Sequence, residues 1–139
     1  MTRPSTLAEA ARRIVGGTSP AIAIPEFVDA FNYAASARER LNMLMDEPPF
    51  TGDARHDALF GAIGEYLAKQ NRLGHVPAWV SGPGRILDEP WFTTSLDSPA
   101  MREYLVHSSP AEFIHHQIFT EAMPLRRASD QVRDRGRIT

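Results

Sequence analysis

Between Asp53 and Pro77 the apolar residues Leu59, Phe60, Ile63, Tyr66 and Leu67 recur at the spacing of one helical face. Upstream, Pro48-Pro49 blocks continuation, because the ring removes a donor and clashes with the preceding turn. Gly74 and Pro77 close the segment in the order expected of a helix C-terminus. Asp53 is the expected cap, and Glu65 and Lys69 form an i,i+4 pair expected on the opposite, solvent side. A helix with so broad a stripe must be covered by other elements, and the rest of the chain offers mostly helices. The spacing predicts an all-α fold.

Thr6-x-x-Glu9 reads as a capping box, with Leu7, Ala11, Ile14 and Val15 at helical spacing until Gly16-Gly17 stops the run. A second helix is expected from near Pro25, with Phe27, Val28, Phe31 and Ala34 on one face. Leu41, Leu44 and Met45 continue the period after a break at Ser36. Ser98-Pro99 starts a helix carrying Met101, Tyr104 and Leu105, and Ser109-Pro110-Ala111-Glu112 starts another, with a capping box, carrying Phe113, Ile114 and Ile118. Ser-Pro-Ala at 19–21, 98–100 and 109–111 is shared cap chemistry; the unequal spacings exclude a repeat architecture. Residues 77–97, rich in Pro, Gly and aromatics, have no helical period and predict one structured loop, with extended pieces at Ala78–Val80 and Trp91–Thr94. The organisation expected is a single helical domain over 1–125 and a basic tail, disordered by itself, over 126–139.

At 139 residues the chain can bury one ordinary core. It has no cysteine, which excludes disulfides and thiolate metal sites and makes a reducing cytoplasm the expected setting. No apolar run reaches the length of a signal peptide or a membrane span. Charge is unevenly spread: residues 1–13 carry +2, residues 126–139 carry +3, and the body between carries −7. An acidic body disfavours a surface that lies on DNA, since phosphate contacts need Lys and Arg, so nucleic-acid contact is expected only through the Arg-rich tail. The same charge favours a basic protein partner.

Candidates for chemistry are few. Glu112 and His116 stand at i,i+4 with His115 adjacent, and Glu103 and His107 share that spacing on the preceding helix, but a site needs three or four ligands and no third is visible. No metal and no cofactor are expected. Nucleophilic triads and Gly-rich phosphate loops are absent, and Gly82-Pro83-Gly84 opens no helix. In a helix-turn-helix at 98–118 the second helix, over 110–118, would contain no Lys or Arg, which argues against reading the major groove. Arg102 and His107, separated by four residues on a helix, resemble the motif of the HEPN ribonucleases, in which histidine and arginine of a dimer surround the scissile phosphate. That gives a first alternative, a helical ribonuclease using Arg102 and His107. A second alternative is a nucleic-acid-binding accessory factor.

From Phe50-Thr-Gly-Asp-Ala-Arg-His-Asp-Ala-Leu59, through Pro77-Ala-Trp79 and Leu87-Asp-Glu-Pro-Trp-Phe92, to Ser109-Pro-Ala-Glu-Phe113 and Ile118-Phe119, the chain resembles a small helical domain family of actinobacterial proteins. The resemblance covers roughly residues 40–120. Its members are associated with toxin–antitoxin loci, as antitoxin-like partners of a nucleotidyltransferase-like toxin, and offer no catalytic residue to carry over. Residues 1–35 lack the Arg- or Lys-bearing recognition helix that a fused DNA-binding segment requires. The resemblance implies a non-enzymatic antitoxin-type protein that binds and neutralises a cognate toxin protein. The expected partner-binding residues are Asp88, Glu89, Trp91, Phe92 and Phe119, because aromatic anchors supply much interface energy and carboxylates steer a basic surface. Whether Trp79 and Trp91 belong to the core or the interface stays open at this level, as does the oligomeric state.

Overall fold

A computed structural model describes residues 2–127. The chain folds into helices α1 (Leu7–Val15), α2 (Pro20–Tyr33), α3 (Ala37–Met45), α4 (Ala54–Gln70), α5 (Pro99–Ser108) and α6 (Ala111–His115). A 3-10 turn spans Ala78–Ser81, and two short strands, β1 (Trp91–Phe92) and β2 (Ile118–Phe119), pair in parallel. The fold is all-α, as the sequence pattern requires. None of the described helices is long and apolar enough to cross a membrane.

Helix starts follow local chemistry. Thr6, Ser36 and Ser98 each accept from the backbone N–H three residues on, and Asp53 accepts from Arg55 N and His56 N. The second helix begins at Pro20, capped by Ser19, one turn before the Pro25 start expected from sequence. Pro25 therefore sits inside α2, where its missing N–H forfeits a helical bond. Burial of Ala23, Ile24, Phe27, Val28 and Phe31 offsets that loss. Ser109 departs from its expected role as a cap. Helix α6 has no side-chain cap, and Ser109 Oγ instead accepts from Thr120 N at 2.8 Å, tying the end of α5 to the segment after β2.

Helix ends show where sequence signals compete. At α4 the closing residue is Arg72, with φ 51°, two residues before Gly74, whose φ of 81° is also positive: Leu73 N donates to Ala68 O and Arg72 N to Lys69 O, a Schellman closure. Helix α6 was expected to run to Ile118 but stops at His115, because Gln117 adopts φ 65° and turns the chain back. That turn frees Ile118 and Phe119 for the ladder, with Trp91 opposite Ile118 and Phe92 opposite Phe119. The extended piece expected at Ala78–Val80 is the 3-10 turn; the one expected at Trp91–Thr94 is β1, over two residues.

Helix α4 is the centre. It packs against α1, α3, α6 and the 3-10 turn, and Phe60, Ala62 and Ile63 are fully buried. The sequence pattern assigns it one apolar side, yet Gly61, Gly64 and Glu65 on other sides are buried too. A β-carbon on Gly61 would lie 2.7 Å from Val80 O and 2.8 Å from His116 Cε1, so only glycine lets the loop and α6 approach this closely. Arg127, placed by the sequence reading in a free tail, pairs with Asp29 of α2 at 3.0 Å. Residues 128–139 of the expected tail lie outside the described residues.

Candidate functional site

Two regions bring chemically distinctive side chains together. The first is the surface of β1. Trp91 N donates to Gln117 O at 2.8 Å and Thr93 N to Phe119 O at 3.0 Å, which fixes the loop 87–94 against the segment after α6. The ladder places Phe92 on Phe119 as a stacked pair, ring centroids 5.0 Å apart. The ladder thereby brings Trp91, Phe92 and Phe119 together, with Asp88 and Glu89 just upstream in the same loop. Phe92 and Phe119 are half-buried, Trp91 is half-buried and packed against the core, and Asp88 and Glu89 are exposed with no hydrogen bond or ion pair among the described residues.

The surface has a feature the sequence reading did not include. Arg55 of α4 lies 5.3 Å over the Trp91 ring, and Arg102 of α5 lies 5.5 Å over the Phe92 ring while pairing with Asp97. These guanidinium groups cap the aromatics and bound a cleft of about 260 Å³ lined by Arg55, Pro90, Phe92, Leu96, Asp97 and Arg102. A second cleft of about 380 Å³ adjoins it through Arg55 and Pro90 and carries Asp88 and Glu89. Arg102 is thus engaged on this face, whereas His107, five residues along, is exposed roughly 140° further round α5. The two residues of the ribonuclease alternative point apart within one chain.

The second region is buried. Arg85, from the loop, has no solvent exposure; its guanidinium donates to Asp57 O at 3.2 Å, to Glu47 Oε2 at 3.1 Å and to Pro48 O. It lies between Phe50, at 4.2 Å, and Trp79, at 5.2 Å. Trp79 belongs to this packing: it lies against Gly64 of α4, and its Nε1 donates to Leu44 O at 2.9 Å. The clamp fixes the Arg85 backbone, whose carbonyl oxygen is 2.5 Å from His116 Nδ1.

His116 Nε2, on the other side of the ring, lies 3.0 Å from Glu65 Oε1, and His115 Nδ1 lies 2.8 Å from the same oxygen. Glu65 was expected on the solvent side of α4; its side chain is only 6% exposed, because α6 covers that side of the helix. Burial alone would push its carboxyl group up, but hydrogen bonds from Lys69, at 2.7 Å to Oε2, and from both histidines outweigh this and hold it below the usual glutamate range. The same contact holds the Lys69 ammonium above its usual range. Glu112, which the spacing pairs with His116, instead accepts from Gln70 Nε2 at 3.1 Å.

Sequence reasoning missed Arg85 and the role of Glu65. Glu65 precedes His115 by 50 residues, and no local spacing joins them. The one usable signal was Gly61 and Gly64 interrupting an otherwise strong helical stripe, which marks a close approach by another segment. The fold and these two regions define a small all-α domain. Comparison with protein-family models, curated proteins and solved structures gave no match.

Proposed function

We propose that this chain is a non-enzymatic, antitoxin-type protein that binds a basic partner protein through the β1 face. The observation that carries the reading is the pair Asp88 and Glu89, exposed and uncompensated beside aromatics that a backbone ladder holds in place. A surface with rigid rings and free carboxylates loses little entropy on docking and attracts a positive surface from a distance. The −7 charge of residues 14–125 acts in the same direction. The sequence resemblance to domains of toxin–antitoxin loci supplies the kind of partner, a toxin encoded beside this chain.

Co-expression with the product of the neighbouring gene tests the proposal. The expected result is a complex that survives gel filtration and restores growth. Phe92→Ala combined with Phe119→Ala should weaken that complex about 30-fold or more, the loss expected of central aromatic anchors, while the chain stays folded. A neighbour that is neither toxic nor bound would remove the reading. Full affinity in the folded double variant would remove this face from it.

A further inference from the structure

Glu65, His115 and His116 present one ligand atom each within 4.8 Å of one another, two of them imidazole nitrogens and one a carboxylate oxygen. They come from two elements: Glu65 from the middle of α4, and the histidines from the end of α6. We propose that these three side chains form a binding site for a divalent transition ion of the zinc class, joining α4 to α6.

Four observations carry this. The donor set is the nitrogen and oxygen set that borderline cations such as zinc prefer, and three protein ligands leave one coordination position open. The open side faces solvent, because His115 is 46% exposed while His116 and Glu65 are buried. Two of the three separations fit directly: ligand atoms about 2.0–2.2 Å from one ion lie about 3.0–3.5 Å apart, so the 2.8 and 3.0 Å separations from Glu65 Oε1 need only a few tenths of an ångström of adjustment, and the two imidazole nitrogens lie within 4.8 Å of each other. Finally, the outer contacts are those of a ligating set. His116 Nδ1 lies against Arg85 O, which fixes the ring and leaves Nε2 as the nitrogen aimed at Glu65 Oε1. Lys69 holds Glu65 Oε2 and leaves Oε1 for the ion.

The supporting shell is unusually well fixed for a surface-accessible cluster. Gly61 leaves the space the His116 ring occupies, and the buried Arg85 clamp holds the carbonyl that orients it. The proposal is independent of the β1 face and of any toxin.

The test uses the full chain without a histidine tag. Titration with zinc should show one ion per chain and raise the melting temperature, and cobalt in its place should give the intense visible bands of a four- or five-coordinate site. His115→Ala, at a half-exposed position, should keep the fold and lose about tenfold or more in affinity, as should Glu65→Gln. His75→Ala and His107→Ala, exposed histidines elsewhere, should change nothing. Absence of zinc binding by the folded wild-type chain would overturn the proposal. So would binding that survives His115→Ala and Glu65→Gln but is lost with His75 or His107.

Discussion

The buried centre around Arg85 and the exposed face around β1 differ in how their residues are brought together. The centre collects Glu47, Asp57, Glu65, Arg85 and His116 from four segments, and the Arg85 Nη atoms and the His116 nitrogens are held by partners that would be orphaned without them, although the buried Arg85 Nε has no partner among the described residues. The β1 face is assembled from two short runs joined by a ladder, and its carboxylates at 88 and 89 hold nothing. Substitutions in the centre should therefore cost mainly stability, whereas substitutions on the face should cost mainly binding.

The sharpest way to break that contrast is Arg85→Ala. It strands the Asp57 and Pro48 carbonyls and opens a cavity between Phe50 and Trp79, so denaturant unfolding should show a loss of about 3–5 kcal/mol. Arg85→Lys should recover only part of this, since one ammonium cannot replace a planar fork between two rings. A loss below about 1 kcal/mol for Arg85→Ala would mean that the clamp is ornamental to the fold.

Gly61→Ala comes next. Alanine favours a helix by up to about 1 kcal/mol, but here its methyl group meets the Val80 carbonyl oxygen at 2.7 Å, and backbone cannot swing aside. We expect a net loss of about 1–3 kcal/mol by thermal melting, with the His116 ring displaced. A stabilised variant would show that the loop crosses α4 less closely than described.

Asp53 gives a smaller and pH-dependent effect. The His56 backbone N–H, helped by that of Arg55, holds its carboxyl group below the usual aspartate range. A folded-state pKa below the unfolded one means that the stabilisation is complete above the unfolded value and is lost as pH falls through the folded value. Asp53→Ala should cost about 0.5–2 kcal/mol at neutral pH, and the difference from wild type should shrink in strong acid. A difference that grows on acidification would contradict the cap.

How much of this was readable from the sequence follows the same division. Cap residues, the α4 stripe and the Trp91-Phe92 step are local, and local chemistry fixed them: Thr6, Asp53 and Ser98 cap as expected, and Ser36, expected only as a break, caps α3. The strand at Trp91 was visible, but its partner was not, because Ile118 reads as the last turn of a helix until Gln117 takes φ 65°. Glu65 looked solvated because its i,i+4 partner Lys69 is a surface residue, and nothing in the spacing showed that α6 returns over it. Arg85 stands alone in a loop, and its role depends on carbonyls of residues 48 and 57 that the sequence does not order in space.

The smallest stability effect belongs to the face. Phe92→Ala should cost less than about 1.5 kcal/mol, the value of a half-exposed stacked pair, with no change in the cooperativity of unfolding. A larger loss would place Phe92 in the core and move the face elsewhere.

Hydrogen exchange on the complex with the neighbouring gene product tests the central claim most directly, because it reads the contact surface without altering it. The account predicts new protection at 87–97 and 117–120, with α1, α2 and α3 exchanging as they do in the free chain. Protection confined to α1–α3, with the β1 segment unchanged, would contradict it.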